Sequence, residues 1–415
     1  MVNSITADIC SYNKFGFSHV RKAFLFIPLI IFNLVVAAQG QTVQKDSTFK
    51  PSGKVWGVAF GDYYYKAHAD ILNRGGANQY TNIEKGRNAF QFRRILLGYG
   101  YNITEKFTAE FVVAAEDNVA NSQGIISGDL LSNNKLGFYV RLANLRWKNI
   151  WKNTDLVVGQ STTPAFSHTS DAYWSYRSVE RTITDIRRTP SFDLGAALQG
   201  TFDNDKKYGY NLMVGNGTSA RPESDRFKAF SGDIYAKFLD KKLMVDLYAD
   251  YQRLNWTPGF HHARNMTKVF AGYTTPALTV GVEAFLNHGK NDIVGYTAST
   301  KDTLNANAFG ISTFARGPIV AGKVGFFARL DKFNPDENYN DSNYIRDEGL
   351  TATYEPNNKE MLIIAGLDFT PAKNIHFMPN VWYNSYKSQR NDVEGLARKD
   401  HDLTYRVTFA YAFGK

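Results

Sequence analysis

Cysteine is nearly absent: one residue, Cys10, in 415. That excludes a disulfide scaffold, a Cys-ligated zinc site and an iron–sulfur cluster. Long apolar runs are missing too: beyond residue 40 none approaches the roughly 18 residues of a membrane-spanning helix. No G-x-G-x-x-G or G-x-x-x-x-G-K-[ST] phosphate loop occurs. His68, His168, His261, His262, His288, His376 and His401 fall nearly all in expected loops, and their spacing marks no Ser–His–acid set. The pair His261–His262 reads as exposed polar residues and not as metal ligands. Neither a catalytic site, a metal nor a cofactor is expected.

The first forty residues suggest export. Lys14, Arg21 and Lys22 precede an apolar run of 16 residues, Ala23 to Ala38, and small residues follow. Positive, apolar, small is the order of a secretory signal peptide. Residues 1–38 are expected to be a leader cleaved after Ala38 or Gly40. The competing reading, a membrane anchor, is disfavoured by Pro28 and by a run shorter than the roughly 20 residues a span needs. Loss of the leader removes Lys14, Arg21, Lys22 and Asp8 and lowers the formal charge from +9 to +7. An exported chain has little access to nucleic acid, so the basic balance needs another explanation and no nucleic-acid partner is expected.

What is present is aromatic residues, 14% of the chain, set in period-two alternation. Leu243, Val245, Leu247, Ala249 and Tyr251 alternate with Met244, Asp246, Tyr248 and Asp250; Leu403, Tyr405, Val407, Phe409, Tyr411 and Phe413 alternate with Thr404, Arg406 and Thr408. This is the pattern of strands with two unlike faces. Sixteen such segments are expected: 54–66, 90–103, 106–117, 136–148, 154–161, 191–202, 207–215, 231–239, 242–253, 266–275, 278–288, 305–316, 321–332, 359–370, 374–386 and 402–413. Short connections alternate strictly with long ones. In lipid every backbone polar group must be paired, and only a closed barrel pairs them all with strands. The expected fold is all-β, a 16-stranded antiparallel transmembrane β-barrel over 54–415, behind a short periplasmic segment at 39–53. Apolar residues should face lipid and polar ones the lumen. A phase slip near Ala143 suggests a bulge. An N-terminal segment this short is no plug, which favours an open pore.

Several segments resemble the phosphate-selective porin O and P family in its Bacteroidetes-type branch: Phe90-Gln-Phe-Arg-Arg-Ile95 with Gly98; Leu156-Val-Val-Gly-Gln160 with Pro164 and Glu180-Arg181; Gly209-Tyr-Asn-Leu-Met-Val-Gly-Asn-Gly217; Arg329-Leu-Asp331 before Asn334-Pro335; and the stretch from Ala365 to Met378. They stand in family order. The chain departs from the pattern at its end, Phe413-Gly-Lys415, and the family's basic phosphate ladder does not align residue by residue. The resemblance implies a bacterial outer-membrane channel, surrounded by outer-membrane lipid, passing small hydrophilic solutes that are anionic, phosphate among them. Porins of this size are often homotrimers.

The inward phase supplies a list of pore-lining residues. Basic members are Arg94, Arg141, Lys237, Lys268, Arg316, Lys323, Arg329 and Arg406; acidic ones are Glu110, Glu116, Asp193, Asp233, Asp246, Asp250, Glu283, Asp331 and Asp368. Eight against nine gives no net preference, but the acids Asp193, Asp233, Asp246 and Asp250 gather on one wall and most of the bases on the other. That arrangement sets up a transverse field; the plainer reading is that the charges only solvate a wet lumen. The long loop 162–190 is expected to fold inward, as the corresponding loop does in related porins. Its Arg177, Arg181, Arg187 and Arg188 could grip an anion, or could tie the loop to the wall through Asp171, Glu180 and Asp185. Trp56, Tyr63, Tyr64, Tyr65, Trp147, Trp151, Tyr383, Tyr405 and Tyr411 suit interfacial girdles, and Tyr248 or Trp382 could stack sugars. A non-conducting barrel serving as anchor or adhesin is the alternative, with the acidic loop 333–358 (Asp336, Glu337, Asp341, Asp347, Glu348) as its partner surface.

Overall fold

The computed structural model of the chain describes residues 49–75, 78–116, 119–121, 124–127, 137–166, 170–187, 191–223, 225–254, 261–297, 300–340, 358–389 and 399–414. The expected leader and both cleavage positions lie outside these residues, as do Arg188, His168, Asp341, Asp347 and Glu348. Pro51–Lys415 makes up one compact unit.

Among the described residues eighteen strands run in order: β1 (Ser52–His68), β2 (Asn88–Asn102), β3 (Phe107–Glu116), β4 (Val119–Asn121), β5 (Gly124–Ser127), β6 (Tyr139–Trp151), β7 (Thr154–Thr162), β8 (Phe192–Thr201), β9 (Tyr208–Gly215), β10 (Ala229–Phe238), β11 (Leu243–Leu254), β12 (His262–Thr274), β13 (Thr279–Thr297), β14 (Thr300–Val320), β15 (Val324–Asn334), β16 (Asn358–Ala372), β17 (Ile375–Ser388) and β18 (Asp400–Phe413). All but β4 and β5 form one closed antiparallel barrel of sixteen strands, with β1 paired to β18 across the seam. Closure leaves no edge with unpaired N–H and C=O groups. Each expected segment overlaps one barrel strand. β4 and β5 make a separate hairpin between β3 and β6.

On β11 the alternation reads directly as two faces. Met244, Asp246 and Tyr248 are buried inward, whereas Leu247 is 50% exposed on the outside. An exposed leucine beside a buried aspartate reverses the arrangement of a water-soluble sheet, and lipid is the solvent that stabilises it.

The bulge expected near Ala143 is present: Val112 pairs with Leu142 and Val113 with Val140, so Arg141 is the extra residue. Three features depart from the sequence reading. A second bulge on β2 escaped the pattern, because Phe60 pairs with Arg94 and Gly61 with Phe92, leaving Arg93 extra. Consecutive Arg93 and Arg94 are consequently both buried. The connection expected at 289–304 is mostly strand, since β13 and β14 continue as one tall hairpin. Ile293 and Ala306 of this hairpin pack together on its inner side. Finally, the inner surface is not uniformly polar. Phe270, Phe314, Phe327, Leu362, Ile364, Met378 and Trp382 form an inward cluster on β12 and β14–β17.

Candidate functional site

Between β7 and β8 the chain turns into the barrel. It passes through a 3-10 turn (Pro164–Phe166), a π-helical turn (Ser170–Trp174) and a short helix α1 (Ile183–Arg187). Tyr173, Trp174, Val179 and Ile186 are buried in the inward aromatic cluster. Trp174 packs against Phe314 and Phe327 at ring separations of 5.4 and 6.3 Å, and Tyr173 meets Phe270 at 5.2 Å. The inward fold expected for this loop is thus present, and hydrophobic burial inside the lumen is what holds it.

Polar ties hold the same loop all round the wall. Arg93 Nη1 on β2 donates to the carbonyls of Ser178 and Val179, each at 2.8 Å. Trp382 Nε1 on β17 donates to Glu180 Oε2 at 3.1 Å. Thr184 Oγ1 donates to Glu283 on β13 at 2.5 Å, and Arg316 Nε on β14 to Tyr173 O at 2.6 Å. Lys268 Nζ on β12 donates to Ala165 O at 2.5 Å. Arg187 bonds Glu360 on β16. With Arg329 on β15, which donates to the Arg181 carbonyl, the loop is fixed to seven strands besides the two it joins.

The first long loop also enters. Tyr80 and Ile83 are buried; Tyr80 donates to Asp62 at 2.7 Å and its carbonyl accepts Lys66 Nζ at 2.5 Å. Burial pushes the Tyr80 hydroxyl far above its ordinary value, with the Asp62 carboxylate adding to the shift. No sequence signal marked Tyr80, Lys66 or Glu360, which meet residues as distant in the chain as Arg406, Asp402 and Arg187.

The sequence-derived site residues other than Arg188 now have a place. Arg94 and Arg141 both pair with Glu116, Arg94 Nε at 3.1 Å. Arg177 meets Asp185 at 2.5 Å. Burial would raise the Asp185 carboxyl, but the guanidinium groups of Arg177, Arg181, Arg94 and Arg141 hold it below the usual range. These four bases therefore converge where the loop meets β2 and β6, and Arg181 Nε there has no hydrogen-bond partner among the described residues. Arg187, Arg329 and Arg406 serve as clamps. Arg329 pairs with Asp331, lies 5.4 Å from the Trp174 ring and donates to the Arg181 carbonyl. Arg406 Nε donates to Asn380 at 2.7 Å and its guanidinium sits over the Tyr80 ring.

On the opposite wall Asp193 accepts the backbone N–H groups of Gly217 and Ser219, at 2.6 and 3.2 Å. Asp250 accepts Met266 N and the Tyr248 hydroxyl. Asp246 is buried, 3.9 Å from Lys268 Nζ, and among the described residues neither of its oxygens has a hydrogen-bond partner. Lys323 stands in the exposed turn after β14, off the wall altogether. Tyr64 is buried inside and Trp56 packs on Val112, Leu142 and Phe192, so neither belongs to an outer girdle. Tyr248 and Trp382 are buried and bonded to acids, which removes them as stacking platforms. Asp336, expected at an acidic surface, is buried and caps Asn307 N and Asn338 N.

A run of inward side chains stays half-exposed on β6, β7, β8 and β10: Asn144, Arg146, Asp155, Gln199, Ser231 and Lys237. Arg146 there bridges Asp155 at 2.9 Å and Gln199 at 2.7 Å. This is the wetted side of the lumen, across from the packed aromatic side.

Among the described residues His68, Asp400 and His401 bring possible metal-ligand atoms within 4.8 Å of one another. His68 Nδ1 faces the His401 carbonyl at 2.8 Å, and the two rings stack at 4.1 Å. A carbonyl only accepts, so that nitrogen carries the proton and is no ligand. His262 is bonded to Asp292 at 2.6 Å.

The sequence matches no protein-family model and no curated protein. Solved structures do share the fold. OmpF of Salmonella typhi, solved in complex with daunomycin, is 12% identical with a TM-score of 0.56, covering 87% of this chain and 97% of that one. The outer membrane channel DcaP of Acinetobacter baumannii is 10% identical with a TM-score of 0.57, covering 88% and 97%. OmpT of Vibrio cholerae, expressed in the outer membrane, is 12% identical with a TM-score of 0.54, covering 88% and 99%. The fold is that of outer-membrane porins; a phosphate-selective branch is not singled out by these likenesses.

Proposed function

We propose that the chain is a bacterial outer-membrane pore through which small hydrophilic anions, phosphate among them, diffuse down their gradient, with no catalytic step and no cofactor. The observation that carries this reading is the gathering of Arg94, Arg141, Arg177 and Arg181 about Asp185 and Glu116. Guanidinium groups clustered at the edge of an inward loop raise the local anion concentration and repel cations. The half-exposed strip on β6–β8 and β10 is the path that solute would follow. Export behind the leader 1–38 and assembly as a homotrimer belong to the same reading.

The test is single-channel recording of the refolded protein in a planar bilayer under a KCl gradient, then with added phosphate. Stable conductance steps with an anion-favouring reversal potential support the pore, and block by phosphate supports the narrower specificity. A cation-favouring potential overturns the anion assignment. A second reading, a non-conducting anchor or adhesin, is favoured by the way Trp174, Val179 and Trp382 fill one side of the lumen. Folded protein that inserts and stays silent would decide for it.

A further inference from the structure

The outer wall carries a basic groove at its long-loop rim. Alternation fixes which side chains point outward there. On β16 Glu360 and Leu362 are buried inward, so Lys359 and Met361 face out; on β17 Asn384 and Tyr386 are buried, so Ser385 and Lys387 face out. Strand register then aligns Ile311, Lys332, Met361, Ser385 and His401 as successive partners across β14 to β18. Nearer the loops Lys359 lies directly opposite Lys387, and Lys399 immediately precedes β18. Together they border a groove of about 590 Å³ floored by Phe309, Ile311, Met361 and Tyr383.

Like charges directly opposite each other on paired strands repel. Several inward bases are answered by acids, as Arg187 is by Glu360 and Arg329 by Asp331. Among the described residues none of Lys332, Lys359, Lys387 or Lys399 forms an ion pair. Of the lining carboxylates Glu360 is committed inward to Arg187 and Asp400 accepts the Ile71 and His401 N–H groups, which leaves Glu337. An apolar floor under unanswered ammonium groups, on the face a membrane barrel turns to lipid, calls for an amphiphile with an anionic head.

We propose that this groove binds a phosphorylated glycolipid of the outer leaflet, its phosphate held by the lysines and an acyl chain lying on the apolar floor. Lysine is a point-charge partner for phosphate, and basic clusters at a membrane surface recruit anionic headgroups. The inference uses the barrel's orientation in lipid and is independent of whether the lumen conducts.

The test refolds the full chain into phosphatidylcholine vesicles doped with bisphosphorylated lipid A. The protein is then extracted in mild detergent and its retained lipid A counted by native mass spectrometry. Retention should fall about tenfold or more in the K332Q/K359Q/K387Q/K399Q variant, be intermediate in K359Q/K387Q, and be unchanged in K241Q/K242Q at the opposite rim. Lipid A without phosphates should be retained poorly by the wild type. If the fourfold variant does not refold, the double variant decides. Three outcomes overturn the proposal: undiminished retention in the lysine variants, displacement of the lipid by inorganic phosphate, which would mark a soluble-anion site, or a loss of oligomerisation with lipid retention intact, which would mark a contact between copies.

Discussion

Arg187 and Glu360 meet in a buried, two-pronged ion pair, Nη1 to Oε1 at 2.9 Å and Nη2 to Oε2 at 2.8 Å. The guanidinium also lies 4.1 Å from the centre of the Phe333 ring, and the same carboxylate accepts Asn78 and Asn384 at 2.6 and 2.8 Å. One acid on β16 thereby secures both inward loops.

Removing one partner of such a pair strands the other charge away from water. Arg187→Ala should cost about 3–5 kcal/mol, read as a lower urea midpoint for the protein in vesicles. Replacing both residues with Met should recover much of that loss, because the stranded charge is gone. If R187A and the double variant are equally unstable, the pair is not the cause.

Anion preference should track the convergent guanidinium groups and not the clamps. R181Q, alone or with R177Q, is expected to move the reversal potential toward cations, the double variant with some loss of stability because Asp185 loses its ion-pair partner. R329Q should instead lower stability through Asp331. Unchanged permeability ratios in R177Q/R181Q would remove these arginines from selectivity.

Asp185 gives an acid limit with a definite sign. Its carboxyl titrates below the ordinary aspartate range in the folded chain. Its contribution is therefore complete above the unfolded value, about pH 3.9, and is lost as pH falls through the lower folded value. Thermal midpoints of wild type and D185N should run parallel from pH 7 to about 5, with the wild type higher, and converge in more acid solution. A gap that persists there would assign the effect to something other than ionisation.

The outward phase is testable at mid-strand. Leu247→Lys should destabilise insertion by about 2–4 kcal/mol, because Leu247 is 50% exposed on the lipid side. The opposite substitution, Asp246→Leu, should be tolerated far better.

Gly159 on β7 has φ of +116°, and a Cβ there would collide with the Ala143 carbonyl on β6. Gly159→Val should cost about 1–3 kcal/mol and loosen the β6–β7 pairing, visible as faster amide exchange on both strands.

The barrel was legible because its pattern is local. Leu247 beside Asp246 shows the period of a strand and the reversal of its faces within two residues, and repetition of that signal gives the strand count. The aromatic side of the lumen was not legible: Phe270, Phe314 and Trp382 are apolar residues on the inward phase, and only the arrival of Trp174 from 163–191 explains them. Arg93 was hidden by its bulge, since an alternating pattern assigns one of two consecutive arginines to lipid. Among the site residues, residue type predicted charge at the wall but not its use. Arg94 and Arg181 gather near the loop edge, whereas Arg187 and Arg329 are consumed as fasteners.

The seam between β1 and β18 carries one more consequence. Gly57 pairs with Phe413 and Lys66 Nζ meets Asp402 at 2.7 Å, contacts between the two extremes of the sheet. Neither contact exists until β18 has joined the sheet, so closure of the cylinder waits on the pairing of strands far apart in the chain. Until then both outer strands present bare ladders of amide groups. The wait, more than any single contact, sets the interval in which this chain can go astray.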